Sequence, residues 1–136
     1  MQIETTDFYP ASKPWVESSA GVRLEAGKCS ECNAVCFPRA AVCATCGGDA
    51  MKEHLTDAGG SLYSFTVVHT GPAQFNPPYA VGYVDMKDGL RLFGQIESPL
   101  SDITLDVWLD LVIGEVSRGP DGRPVMSYKF KRGGAL

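Results

Sequence analysis

No stretch of this sequence approaches the ~18 consecutive apolar residues of a membrane-spanning helix, so no membrane segment is expected. A basic excess is missing too. Against 16 Asp+Glu stand 12 Lys+Arg, a net charge of −4, which is the wrong sign for a general nucleic-acid coat. Histidine is scarce, with only His54 and His69. His54, in Lys52-Glu53-His54, reads as a surface residue, and His69 as a hydrogen-bonded structural one at the end of an apolar strand. No Ser–His–Asp order, phosphate-cradling loop or metal set with an open position is visible, so the chain looks poorly equipped for catalysis alone. Residues 1–10 carry no basic start and no apolar run, so neither a secretory leader nor an oxidising compartment is expected. Long helical patterns and low-complexity tracts are also lacking.

What is present begins with cysteine. The stretch Cys29–Cys46 holds two Cys-x-x-Cys pairs, Cys29/Cys32 and Cys43/Cys46, separated by ten residues. Each pair can aim two thiolates at one ion from a tight turn, and the spacer is long enough to fold the pairs face to face. Four soft ligands in a tetrahedral set suit zinc. Iron could occupy the same four sulfurs, as in rubredoxin, and the residues leave that choice open. A thioredoxin-type redox pair would need only one Cys-x-x-Cys and a βαβ setting, which is not seen. Gly47 and Gly48 follow the second pair, where a metal knuckle needs positive φ. Cys36, the fifth cysteine, reads as a small apolar filler. A four-thiolate zinc site is closed to a reacting water, so the ribbon is expected to staple or dock.

With 136 residues and 44% apolar content, the chain can build one ordinary domain or two small ones. The expected architecture is mainly β. An N-terminal arm (1–21) leads into a rubredoxin-like zinc ribbon (22–52), followed by a five-stranded OB-fold barrel (53–136). Within the arm, Pro14 after Ser12 suggests a short helix, and Phe8, Tyr9 and Trp15 are aromatics that must pack on this chain or a partner. Val22–Ala26 reads as a strand entering the ribbon, and Phe37-Pro38-Arg39 as an exposed hairpin tip.

Five strand patterns follow: Leu62–His69, Tyr79–Met86, Leu90–Ile96, Val107–Val116 and Val125–Lys131. On the first, Tyr63, Phe65, Val67 and His69 are expected to share a face. Lys87-Asp88-Gly89 and Gly119-Pro120-Asp121-Gly122 are turn signals. Gly82 and Gly94 lie in mid-strand, where small barrels bend or elements approach closely. A partly open OB barrel is the economical solution, with a small sandwich or an SH3-like barrel as alternatives. The loop Thr70–Pro78 is long, stiffened by three prolines and centred on Phe75. Such a loop either lines a ligand channel or is a rigid surface turn.

In combination, these motifs resemble a known family. A tryptophan-bearing arm precedes a four-cysteine ribbon with Phe37-Pro38-Arg39. Next come the strand Tyr63–His69, the Pro77-Pro78-Tyr79 loop and the run Gly89–Gly94. Together they resemble the zinc-ribbon/OB-fold proteins associated with thiolases, over roughly residues 12–131. The resemblance implies a cytoplasmic, non-catalytic accessory subunit. Its partner would be a thiolase-superfamily enzyme: a thiolase, an aldolase or an acyltransferase. The nucleophile would then come from the catalytic partner. It further implies structural zinc on Cys29, Cys32, Cys43 and Cys46. Docking on the partner is assigned to Trp15, Phe37, Pro38 and Arg39. An acyl-CoA thioester is expected near Phe65, Val67, His69, Phe75, Pro78 and Tyr79, with Arg91, Lys129 and Lys131 facing its phosphates.

Two other classes fit parts of the pattern. OB barrels bind single-stranded nucleic acid by aromatic stacking in a basic groove, and the basic stretch after Asp121 could serve that, although the overall acidity opposes it. An iron-loaded ribbon would be a free-standing electron carrier, which colour would reveal.

Overall fold

The computed structural model describes residues 13–133. Nine strands follow in order: β1 (Trp15–Ser18), β2 (Gly21–Cys29), β3 (Val35–Cys36), β4 (Met51–Leu55), β5 (Gly59–Val68), β6 (Tyr79–Asp85), β7 (Arg91–Ile96), β8 (Trp108–Arg118) and β9 (Pro124–Arg132). Among the described residues, helix is limited to 3-10 turns such as Ala73–Phe75 and Leu100–Asp102. The mainly β expectation therefore holds.

β2 organises the first part. It alternates Leu24 and Ala26 inward with Glu25 outward, and pairs antiparallel with β1, β3 and β4. The helix expected after Pro14 is instead β1, because Val16 and Glu17 find ladder partners in Arg23 and Val22. Trp15 sits opposite Leu24 and is 7% exposed within the common core. It is spent on this chain's own packing, which corrects its assignment to partner docking. Phe8 and Tyr9 lie outside the described residues.

β5–β6–β7–β9–β8 close into a barrel. Closure is complete where a partly open barrel was expected, but one seam is thin: β7 and β9 run parallel and meet at the Ile96–Phe130 bridge. Glu97 N donates to Phe130 O there at 2.6 Å. The two mid-strand glycines are where backbones crowd. A Cβ on Gly82 would lie 2.5 Å from Ser64 O, and one on Gly94 would lie 3.0 Å from the Phe130 ring. Both expected hairpin turns form, with Gly89 at φ 95 and Gly122 at φ 85.

The two parts share one core. Trp15, Leu24 and Ala26 pack in the same cluster as Leu62, Val84, Leu92, Leu109 and Phe130. Thr56 fastens the junction: fully buried, its hydroxyl accepts from Leu24 N at 3.0 Å and donates to Asp57 O at 2.8 Å. Phe37 is the second fastening. Its ring meets Tyr128 of β9 edge-on at 5.8 Å and packs against the core. It is therefore not an exposed tip, while Pro38 and Arg39 are exposed beside it.

Candidate metal centre and barrel cavity

The first knuckle reverses at Asn33, with φ 66, and Asn33 N donates to Cys29 O at 2.8 Å. The second reverses at Gly47, with φ 78, and Gly47 N donates to Cys43 O at 2.9 Å. The two turns bring all four sulfurs within 4.8 Å of one another. Cys29 Sγ lies 3.7 Å from Cys46 Sγ, and Cys32 Sγ 3.6 Å from Cys43 Sγ. An ion with four thiolates at ~2.3 Å has sulfur–sulfur edges of about 3.8 Å, close to these two distances, so the set suits a tetrahedral zinc. Cys36 is half-buried on β3 opposite Gly27 and outside the set, as a packing residue should be.

The electrostatics agree. N–H groups of Cys46 and then Thr45 point at Cys43 and lower its thiol to about 6. Cys46 accepts from Gly48 N–H, which alone would lower it, but Cys29, Cys32 and burial together push it up to about 12. A divalent cation would offset the crowding by neighbouring sulfurs that raises Cys46.

The barrel holds a separate feature. A cavity of about 440 Å³ opens beside the 70–78 loop. Phe75 and Tyr79 form one wall, with ring centroids 6.0 Å apart and planes tilted by 39°. Gln95 of β7, Glu115 and Arg118 of β8 and Lys129 of β9 also line it. Of the residues expected to meet an acyl-CoA, the cavity gathers Phe75, Tyr79 and Lys129. Lys129 is 9% exposed, and its Nζ donates to Glu115 O at 2.8 Å and lies 3.5 Å from Glu97 Oε1.

The other six lie elsewhere. A bulge at Tyr63 shifts the register of β5, so Tyr63 leaves the face that Phe65 and Val67 share opposite Gly82 and Ala80. His69 is exposed just past the end of β5, Pro78 is exposed in the loop, and Lys131 is exposed on β9. Arg91 is removed from the cavity and already engaged. It makes a two-point contact with Asp85 at 2.6 and 3.1 Å, and its guanidinium covers the Tyr63 ring at 3.6 Å. The Asp85 hydrogen bonds raise its pKa further. Arg91, expected to face the phosphates, is thus paired with Asp85 at the surface and lies away from the cavity.

Gln95, Glu115 and Arg118 escaped the sequence reading. The strands of Gln95 and Glu115 were expected, and Arg118 lies two residues past the expected end at Val116, but which outward residues face a loop depends on barrel closure. The alternation of Leu92, Gly94 and Ile96 with Gln95 was the available signal. Tyr83 and Phe93 were missed likewise. Their ring centroids lie 5.3 Å apart, with planes tilted by 60°, on the outer face of β6 and β7, each about half exposed.

Comparison with known proteins accords with this architecture. Residues 22–52 match the family description "ChsH2, rubredoxin-like zinc ribbon domain", and residues 53–113 match "ChsH2, C-terminal OB-fold domain". The benzoylsuccinyl-CoA thiolase subunit BbsA of Thauera aromatica is 33% identical over 129 residues, covering 95% of this chain and 90% of the relative. A DUF35 domain-containing scaffold protein of Methanothermobacter thermautotrophicus is 30% identical over 124 residues, covering 88% and 92%. In fold, the chain is similar to the solved Ltp2-ChsH2(DUF35) aldolase, with a TM-score of 0.66 at 24% identity over 81% of this chain and 84% of that one. With its ribbon and barrel both matched, and a thiolase subunit aligned along nearly its full length, the chain belongs to the thiolase-associated DUF35 family of zinc-ribbon/OB-fold proteins.

Proposed function

We propose that this chain is a non-catalytic accessory subunit of a thiolase-superfamily enzyme, a thiolase, aldolase or acyltransferase. It docks on the catalytic chain and helps to bind an acyl-CoA thioester. The observation that carries this is the near full-length similarity to the benzoylsuccinyl-CoA thiolase subunit. Cys29, Cys32, Cys43 and Cys46 hold a structural zinc, whose four thiolates leave no open position for chemistry. The ribbon surface offered to a partner is Pro38 and Arg39, since Trp15 and Phe37 are committed to the core. Acyl-CoA is bound beside Phe75, Tyr79 and Lys129, where a cavity supports the reading.

The test is purification of the tagged chain from its host. A thiolase-fold chain, identified by mass spectrometry, is expected to accompany it, with acyl-CoA turnover by the complex and none by the isolated chain. Turnover by the isolated chain, or the absence of any thiolase-fold companion, overturns the reading.

Single-stranded nucleic-acid binding has one observation in its favour: the exposed aromatics Tyr63, Tyr83 and Phe93 on one barrel wall. The net charge of −4 and the neutralisation of Arg91 by Asp85 weigh against it. Salt-sensitive binding to an oligonucleotide would favour that alternative.

A further inference from the structure

The cavity beside the 70–78 loop is chemically specific about which part of a CoA ester it suits. Both of its cations are compensated. Lys129 is held by the Glu115 carbonyl and the Glu97 carboxylate. Arg118 Nε lies 3.1 Å from Glu115 Oε2, and its Nη1 donates to Gly122 O at 3.0 Å. A phosphate entering here would have to compete with Glu97 and Glu115 for cations already paired, and would meet their repulsion. The uncompensated lining is neutral and two-sided. Gln74, Asn76 and Gln95 carry side-chain amides, each able to donate and accept. Gln95 Nε2 is used by Val116 O at 2.9 Å, which leaves its Oε1 as an acceptor. Phe75 and Tyr79 add an apolar wall.

We propose that this cavity binds the uncharged pantetheine arm of a CoA thioester and leaves the phosphorylated adenosine end outside. Secondary amides of the arm match the side-chain amides of the lining, and its geminal methyl groups match the aromatic wall. A volume of about 440 Å³ suits a chain of that size. This refines the acyl-CoA part of the proposed function and rests on it.

The test is amide NMR on the isotope-labelled full-length chain, titrated separately with pantetheine, with CoA and with the bisphosphorylated adenosine half of CoA. Pantetheine and CoA are expected to move the signals of Phe75, Asn76 and Gln95 in the same direction, and the nucleotide half to leave them in place. Because no net charge is recognised, a severalfold rise in salt should change pantetheine affinity by less than about twofold. Phe75→Ala and Gln95→Ala should each weaken it by about three- to tenfold. The inference is overturned if the nucleotide half moves those signals, or if pantetheine does not. In that event, CoA binding elsewhere on the chain leaves the acyl-CoA reading standing. If CoA also fails to bind, the acyl-CoA reading falls as well, and the subunit reading is judged by the thiolase-fold companion.

Discussion

His54 Nε2 lies 2.7 Å from Asp88 Oδ2, joining β4 of the ribbon sheet to the turn between β6 and β7 of the barrel. The two side chains are only 24% and 17% exposed, and Asp88 Oδ1 also accepts from Leu90 N at 3.2 Å. His54 is thus a strut between the two parts and not the bland surface residue its neighbours Lys52 and Glu53 suggest. Asp88→Ala should lower stability by about 1–2 kcal/mol. A double-mutant cycle with His54→Ala, followed by urea denaturation, should show a coupling of about 0.5–1 kcal/mol. Strict additivity would mean the pair is ornamental.

The metal centre predicts one zinc per chain and a colourless protein. Replacing Cys29, Cys32, Cys43 or Cys46 by Ser should each abolish stoichiometric zinc by elemental analysis, while Cys36→Ser should retain it. Because folding and metal affinity are linked, a strong chelator should unfold the ribbon and lower the thermal midpoint. A red protein with stoichiometric iron would instead point to electron transfer.

Tyr128 supplies a pH dependence. Burial raises its pKa above the ordinary phenol value, and its hydroxyl donates to Phe93 O at 2.9 Å. The folded state therefore holds this proton more tightly than the unfolded state. The resulting stability is fully present below about pH 10, the unfolded phenol's pKa, and is lost as pH rises through the folded value. Denaturation at pH values bracketing that range should show a steeper alkaline loss in wild type than in Tyr128→Phe. At neutral pH the same substitution should cost about 1 kcal/mol for the missing hydrogen bond. Parallel alkaline profiles for the two proteins would refute the assignment.

Trp15 and Arg39, both expected to dock on the partner, should behave oppositely. Trp15→Ala removes a core side chain and should cost about 3–5 kcal/mol. Arg39→Ala breaks a 3.0 Å pair with Glu53 whose side chains are 45% and 81% exposed. Its stability effect should stay within about 0.5 kcal/mol, so any loss of partner binding in that variant can be read as a surface effect. Calorimetry of both variants separates the two roles.

The sequence by itself determined what short-range spacing controls. Two Cys-x-x-Cys pairs with turn-forming residues after each can close on one ion wherever the ribbon sits. Alternation and glycine turns marked the five barrel strands, because strand period and turn chemistry are local properties. Tertiary structure decided how the pieces spend their side chains. A one-residue bulge at Tyr63 reset the faces of β5, ladder pairing drew Trp15 into the core, and the Phe37–Tyr128 contact turned an expected tip inward. Closure of β7 against β9 set Gln95, Arg118 and Lys129 around one cavity. Arg91 and Lys129 look alike in the chain as free cations. Only their positions against Asp85 and Glu97 show that both charges are already matched, since pairing depends on distances between strands that the order of residues does not encode.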